Sequence, residues 1–199
     1  MIALIDINNF YVSCERLFNP TLINQPVVVL SNNDGCIISR SNEAKKLGIK
    51  MGVPLFKVKK LLNDNKVNIL SSNYPLYADM SFRTMQILSA FADLQEIYSI
   101  DECFLDLSGQ KNLNVLGTLI RKRLSRWLGM PVCVGIAPTK TLAKFANHCA
   151  KTQDSWQGVC DFSEMKENEI NQIMANVDVS KVWGVGAKTS AKLKKMDIN

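Results

Sequence analysis

The apolar positions along the chain predict short strands alternating with amphipathic helices. An almost continuous apolar run at 2–7 is typical of a strand buried on both faces, and 132–136 has the same character. Apolar residues recur at helical spacing over 74–92, 113–127 and 139–150. The order is strand, helix and, after an insertion, helix, two strands, helix and strand. This order predicts an α+β fold, an antiparallel or mixed sheet with its helices packed on one face.

Shorter elements are predicted between the first strand and the helix that starts at 74. Asn9 suits the N-cap of a short helix over 10–17. Apolar runs at 27–30 and 36–39 are joined by a turn rich in Asn, Asp and Gly, which predicts a hairpin. Ser41 is typical of the residue that caps a following helix. These elements form a small α/β insertion.

Two adjacent carboxylates, Asp101 and Glu102, lie between short runs of β-forming residues. The pattern predicts a tight pair of strands with both acids at the turn, and taken alone it suits a solvated turn. Asp6 differs because it lies within the buried first strand, where an unpaired carboxylate is costly. Asp6 is therefore expected either to pair with a basic residue or to bind a metal ion, and both alternatives stay open.

The three carboxylates converge only if the first strand lies beside the hairpin that carries Asp101 and Glu102. Their mutual repulsion would then favour a divalent cation. Oxygen ligands without His or Cys select Mg²⁺, with Mn²⁺ as the alternative, and two such ions would promote phosphoryl or nucleotidyl transfer. A zinc site is not expected, because His148 is the sole histidine and the six cysteines show no C-x-x-C spacing.

Composition and net charge limit the kinds of binding partner that we expect for this chain. The 199 residues are 47% hydrophobic and 21% charged, which supports a substantial folded core. No apolar run approaches the roughly 20 residues that cross a bilayer, and the N-terminus lacks the features of a signal peptide, so we expect a cytoplasmic protein without a membrane partner. The net charge of +6 favours an anionic partner, nucleic acid before a membrane surface.

One predicted helix carries a basic stripe. Lys140, Lys144 and Lys151 fall within about 40° of one another on an ideal helix. A solvated face is the ordinary explanation for any one of these lysines. A stripe that ends near a carboxylate cluster would, however, suit a polyphosphate.

The last segment contains a Gly-x-Gly turn among lysines. Gly184 and Gly186 precede a helical stretch that contains Lys188, and such a turn presents backbone N–H groups to a nucleic-acid phosphate. A P-loop is a poor match because Ala187 stands where that motif has a glycine before its lysine. A dinucleotide fingerprint also fails, since the third glycine and the preceding strand are missing.

Five segments carry a family resemblance, namely 6–15, 31–36, 72–81, 98–102 and 139–144. They resemble the Y-family translesion DNA polymerases. The Ser-Asn-Asn-Asp-Gly-Cys and Ser-Asn-Tyr sequences are similar to the UmuC branch, the catalytic subunit of bacterial DNA polymerase V, more than to the DinB branch. The resemblance implies error-prone, template-directed nucleotidyl transfer by two metal ions, on primed template DNA with deoxynucleoside triphosphates, in the SOS response to DNA damage.

The resemblance also implies a metal site. Asp6, Asp101 and Glu102 match the metal-binding carboxylates of the family, and the carbonyl of Ile7 is a further implied ligand of the two Mg²⁺ ions. Asn8 departs from the pattern, because many relatives have a second aspartate there.

A second group of residues matches positions beside the incoming nucleotide. Phe10 and Tyr11 match the family's pair at this place, and Tyr11 would be the steric gate whose ring collides with a ribose 2′-OH. Lys151 matches a palm lysine that contacts the triphosphate. Lys45 takes the place of a fingers arginine with similar work, and Asn42 stands where many relatives have a tyrosine.

The domain organisation that the resemblance implies is a ferredoxin-like palm at 1–18 and 73–165, small α/β fingers at 19–72, and a partial thumb at 166–199 that begins a helix-hairpin-helix. Family members continue into a little-finger domain that is expected to be absent here, so we expect weak DNA binding. UmuD-like accessory subunits, RecA and a sliding clamp are partners implied for the full-length family.

Two other functions stay open at the level of sequence. The chain could be a truncated, non-catalytic DNA-binding or regulatory product of the same family. A nucleotide cyclase, which also uses a metal-bearing sheet, is a more distant alternative, and the lysine-rich Gly-x-Gly segment argues against it.

Overall fold

The computed structural model describes residues 1–198, and most of its elements fall close to the segments that the apolar pattern predicts. Asn199, the last residue of the predicted thumb, lies outside the described residues. The strands are β1 (Ile2–Ile7), β2 (Val27–Leu30), β3 (Ile37–Arg40), β4 (Asn68–Ser71), β5 (Gln95–Ile97), β6 (Glu102–Asp106), β7 (Val132–Ala137) and β8 (Val159–Asp161). The helices are α1 (Phe10–Phe18), α2 (Asn42–Lys46), α3 (Leu55–Asp64), α4 (Tyr74–Leu88), α5 (Leu113–Leu128), α6 (Lys140–Thr152), α7 (Glu167–Ala175) and α8 (Ala187–Lys194).

The chain divides into two units by its internal contacts. The first unit comprises Met1–Asp6, Ile87–Leu124 and the chain from Val132 onward, and the second comprises Ile7–Gln86 and Ser125–Pro131. The boundaries of palm, fingers and thumb implied by the resemblance stay a prediction. No helix within residues 1–198 is long and apolar enough to cross a membrane.

The sheet of the first unit has the strand order β5-β6-β1-β7-β8. Strand β6 runs antiparallel to both β1 and β5, whereas β8 runs parallel to β7. The core of this sheet, with β1 between β6 and β7, has the ferredoxin-like order that the resemblance implies, and β8 extends it at the edge. The predicted α+β fold class is confirmed.

The helices of this unit cover both faces of the sheet, which corrects the expectation that they share one face. A Cβ atom at Gly117 of α5 would lie 3.4 Å from the Val134 side chain. A Cβ atom at Gly135 would lie 2.3 Å from the carbonyl oxygen of Ala143 in α6. Successive residues of a strand point to opposite faces, so α5 and α6 lie on opposite sides of β7. The sequence did not predict β8. Because β8 pairs parallel with β7, α6 is the crossover helix that joins these two strands, and it lies on the face of the sheet opposite α5.

A buried cluster joins α6 to the sheet. Burial of a large apolar side chain stabilises a fold by about 1.5–3 kcal/mol, so this cluster anchors the helix that carries the basic stripe. The cluster contains Leu4, Phe104, Cys133, Ala137, Ala143, Phe145, Ala146, Cys149, Ala150, Cys160 and Phe162.

The second unit contains a three-stranded sheet in the order β3-β2-β4. The predicted hairpin is confirmed, since β2 and β3 pair antiparallel, and β4 adds a parallel strand that the sequence did not indicate. The predicted cap is also confirmed, because the Ser41 Oγ accepts the Ala44 N–H at 3.2 Å. The core of this unit consists of Val28, Leu30, Ile37, Ala44, Ile49, Leu62 and Val67.

Candidate functional site

The acidic residues meet where β1 and β6 lie side by side. Asp6 pairs directly with Glu102 in the antiparallel register, and Asp101 immediately precedes Glu102. Directly opposed residues of an antiparallel pair project from the same face of the sheet. The expectation that the first strand lies beside the acidic hairpin is confirmed.

The turn that holds Asp101 and Glu102 is organised by Ser99. The Ser99 Oγ donates to Asp101 Oδ1 at 2.7 Å and accepts the Glu102 N–H at 3.1 Å. The sequence analysis missed this role, although a serine hydroxyl can bond the backbone two residues further on, as Ser99 Oγ does when it accepts the Asp101 N–H at 3.3 Å. The strand boundaries also differ from expectation: β5 ends at Ile97, and Glu102 is the first residue of β6 rather than part of the turn.

Two lysines of the basic stripe neutralise two of the carboxylates. Lys151 Nζ lies 2.5 Å from Asp6 Oδ1, and Lys144 Nζ lies 2.7 Å from Glu102 Oε1. Both acidic side chains are largely buried, with 14% of Asp6 and 16% of Glu102 exposed. Of the two outcomes considered for Asp6, a basic partner is the one present in this structure.

The pKa of Asp6 depends on its burial and on the charged groups around it. Burial raises the pKa of Asp6 to about 6, Lys151 opposes that rise, and the nearby negative charges of Asp101 and Glu102 add to it. Because the charges of Asp101 and Glu102 add to the cost of ionising Asp6, a cation bound beside them would lower that cost.

The types of ligand present suit a hard divalent cation, although the side chains are not yet arranged around a single metal position. Carboxylate oxygens without His or Cys are the ligands that Mg²⁺ and Mn²⁺ prefer. Within residues 1–198, no group of three or more Asp, Glu, His or Cys side chains is already gathered closely enough to hold a metal ion. The ammonium groups of Lys144 and Lys151 form ion pairs with the carboxylates of Glu102 and Asp6 instead.

Phe10 and Tyr11, the predicted nucleotide-side residues, lie at the start of α1 in the second unit. Phe10 is buried, and the Tyr11 ring stacks on Tyr77 with ring centres 4.4 Å apart and an interplanar angle of 16°. Tyr77 is fully buried and donates from its hydroxyl to Glu15 Oε1 at 2.6 Å. The Tyr11 ring therefore rests on a fixed aromatic support.

Lys45 belongs to a polar network with two asparagines. Lys45 Nζ donates to Asn9 Oδ1 at 2.5 Å, and Asn9 Nδ2 donates to Asn42 Oδ1 at 3.0 Å. Asn9 occupies the N-cap position of α1, as expected, with a left-handed backbone at φ 49°, but its side chain does not cap the helix. This corrects the predicted capping role, because the side chain is engaged by Asn42 and Lys45.

The Gly-x-Gly turn of the last segment opens a helix, as the sequence predicts. Gly184 has a positive φ of 88°, Gly186 is the N-cap of α8, and Lys188 lies in the first turn of that helix. The first N–H groups of a helix have no partner within it, so this end can accept an anion. A contact with DNA at these residues stays a prediction.

The amino-acid sequence matches known protein families and several curated proteins. Residues 5–148 match the impB/mucB/samB family, and residues 167–198 match the helix-hairpin-helix motif described for the IMS family. The chain is 46% identical to the protein ImpB of Salmonella typhimurium and 49% identical to the protein UmuC of S. typhimurium LT2, in each case over 100% of the chain and 48% and 47% of the relative. The chain thus spans about half the length of these curated relatives.

Solved structures show the same fold. The chain superimposes on an insertion ternary complex of Dbh DNA polymerase with a TM-score of 0.86, at 27% identity and over 100% of the chain and 58% of that structure. A crystal structure of DinB from Sulfolobus solfataricus gives a TM-score of 0.85 at 27% identity and the same coverage.

Proposed function

This chain belongs to the impB/mucB/samB family, and we propose that it is the catalytic core of an error-prone translesion DNA polymerase. The resemblance to the UmuC branch is confirmed by the relatives that match over the whole chain. The observation that carries the proposal is the register that sets Asp6 opposite Glu102, with Asp101 beside it. The proposed reaction is template-directed addition of deoxynucleotides to primed DNA.

The proposed metal ligands are Asp6, Asp101, Glu102 and the carbonyl of Ile7. Two Mg²⁺ ions bound there, or Mn²⁺ in their place, would activate the attacking hydroxyl and stabilise the leaving phosphate. The protein supplies a pair of strands that holds Asp6 and Glu102 on one face, and the Ser99 hydroxyl that bonds the Asp101 carboxylate in the turn.

Lys151 is the proposed triphosphate contact. Its side chain is 33% exposed and its ammonium lies against Asp6, so a polyphosphate approaching the carboxylates would meet a cation at that place. Lys45, whose ammonium is bonded to Asn9, is also proposed to contact the triphosphate.

Tyr11 is proposed to exclude ribonucleotides, with Phe10 beside it. A gate of this kind works only if its ring cannot move aside, and the stacking of Tyr11 on the buried Tyr77 provides that restraint. A flexible side chain at position 11 would yield to the extra hydroxyl of a ribose.

We extend the proposal to the biological setting through the resemblance alone. The expected setting is the bacterial SOS response in the cytoplasm, with UmuD-like subunits, RecA and a sliding clamp as partners of the full-length relatives. Gly184, Gly186 and Lys188 are the proposed contacts to the DNA backbone.

The test is Mg²⁺-dependent extension of a primed template past a lesion. We expect extension by the unaltered chain and its loss in Asp101→Ala. Asp106→Asn is the matched control, because Asp106 lies at the other end of β6, opposite Ile2. Equal extension by the unaltered chain and Asp101→Ala would refute the proposal.

A non-catalytic DNA-binding or regulatory role is the second candidate. The pairing of Asp6 with Lys151 and of Glu102 with Lys144 favours it, since the acids are already neutralised. It predicts measurable DNA binding at low salt without metal-dependent incorporation at any protein concentration.

A further inference from the structure

Lys144 lies between an acidic residue and a pair of aromatic rings. Its Nζ is 2.7 Å from Glu102 Oε1, 4.6 Å from the centre of the Tyr98 ring and 5.3 Å from the centre of the Trp183 ring. The lysine side chain is only 19% exposed. A cation near aromatic faces is attracted by them, and the attraction grows as water is excluded.

The rings come from distant parts of the chain. Tyr98 precedes the acidic turn, whereas Trp183 lies in the last segment, next to Gly184. The Trp183 ring stands perpendicular to Tyr98 with ring centres 5.5 Å apart, and it lies 6.2 Å from Phe104. The segment that contains the Gly-x-Gly turn therefore packs, through Trp183, on the hairpin that carries Asp101 and Glu102.

The neighbouring Lys140 provides a contrast. It lies on the same helix and its Nζ is 5.3 Å from the centre of the Phe104 ring, but its acidic partner is Glu96, whose side chain is 52% exposed. Glu96 is not one of the proposed metal ligands. Lys140 therefore has the charge and the aromatic contact of Lys144 without a contact to the acidic cluster.

We propose that Lys144 is a resident counter-cation for Glu102 that a divalent ion must displace, and that Trp183 holds it in place. The inference rests on the proposed function, because it takes Glu102 as a metal ligand. Lys144 and Trp183 are positioning residues. Metal binding at the acids and docking of the Trp183 segment are then coupled.

The coupling predicts that metal binding and the contact of Lys144 with Glu102 oppose each other. While Lys144 neutralises Glu102, the carboxylate attracts a metal ion less strongly, so anything that loosens Lys144 tightens metal binding. By reciprocity, metal binding releases Lys144 from Glu102 and weakens the docking of Trp183. The segment proposed to hold the DNA backbone would thereby respond to the state of the metal site.

The experiment measures Mn²⁺ binding to the 199-residue chain by electron paramagnetic resonance of the free ion. Trp183→Leu removes a ring and no charge, and we expect Mn²⁺ to bind about two- to fivefold more tightly. Lys144→Met removes the counter-cation, and we expect roughly tenfold tighter binding. Lys140→Met removes the same charge farther from the acids, and we expect less than about a twofold change because of screening.

Tryptophan fluorescence provides a second readout. Mg²⁺ should change the tryptophan emission of the unaltered chain, and this change should be absent in Trp183→Leu and much reduced in Lys144→Met. A Mg²⁺-dependent change that persists in Trp183→Leu would contradict the coupling.

The outcomes separate the inference from the proposed function. Equal Mn²⁺ affinity in all four proteins, or weaker binding by Lys144→Met, overturns the inference and leaves the metal site of the proposed function in place. Absence of Mn²⁺ binding in every protein overturns the inference and the proposed metal site together. Tighter binding by Lys144→Met and Trp183→Leu, but not by Lys140→Met, supports the inference, whereas an unchanged affinity in Trp183→Leu overturns the role of Trp183.

Discussion

Asp6 lies directly opposite Glu102 in the antiparallel pairing of β1 with β6. The two carboxyl groups share one face of the sheet and each is paired with a lysine of α6. The site therefore consists of two ion pairs beside the carboxylate of Asp101, whose charge still adds to the cost of ionising Asp6.

The stability of the metal-free chain should fall as pH rises from about 4 to 6. Burial raises the pKa of Asp6 from 3.8 to about 6, so the folded chain holds a proton that the unfolded chain has lost over this range. Asp6 thus contributes a stabilisation that is full below pH about 4 and is lost as pH rises through about 6, on the order of 3 kcal/mol.

The measurement is urea denaturation at several pH values, with a chelator, for the unaltered chain and Asp6→Asn. The free energy of unfolding of the unaltered chain should decline relative to that of Asp6→Asn across this range. Parallel pH profiles would contradict the prediction.

Ser99→Ala should weaken the acidic site more than it weakens the fold. The lost hydroxyl leaves the Asp101 carboxylate and the Glu102 N–H without this partner, at a cost of about 1 kcal/mol of stability. We expect weaker Mn²⁺ binding and slower primer extension. Ser108→Ala is the control, since Ser108 donates to Asp106 in a similar way. Equal Mn²⁺ affinities for the two variants would show that Ser99 has no role in the site.

Tyr11→Ala should admit ribonucleotides. Removal of the ring opens the space that a 2′-OH would occupy, and we expect the preference for deoxynucleotides over ribonucleotides to fall at least roughly tenfold. The measurement is the ratio of kcat/KM for the two nucleotide types. Phe18→Ala, at an exposed position at the end of the same helix, should keep the original ratio. An unchanged ratio in Tyr11→Ala would refute the assignment of the gate.

Gly135→Ala should destabilise the first unit. The added Cβ would lie 2.2 Å from the backbone nitrogen of Asn147, and a backbone atom cannot yield as a flexible side chain does. We expect a loss of about 1–3 kcal/mol in the free energy of unfolding, measured by urea denaturation. At Gly186, where nothing lies within 4 Å of the added atom, the same substitution should cost much less. Similar losses at both glycines would argue against close packing of α6 on β7.

The amino-acid sequence by itself determined the local elements and the candidate chemistry. The hairpin of β2 and β3, the cap at Ser41 and the basic stripe on α6 follow from periodicity and turn residues, which act over a few positions. The acids were recognisable because a carboxylate in an apolar strand needs a partner. The motifs around them also pointed to the polymerase family.

Only the tertiary structure decided which partner each group takes. The pairing of Asp6 with Glu102 and Lys151 depends on strand register and on the side of the sheet that α6 occupies, and neither is encoded in local periodicity. The same holds for Asn147, which donates to the carbonyl of Leu4, 143 positions away in the chain. Contacts between such distant positions arise from the packing of whole elements, so spacing along the chain could not reveal them.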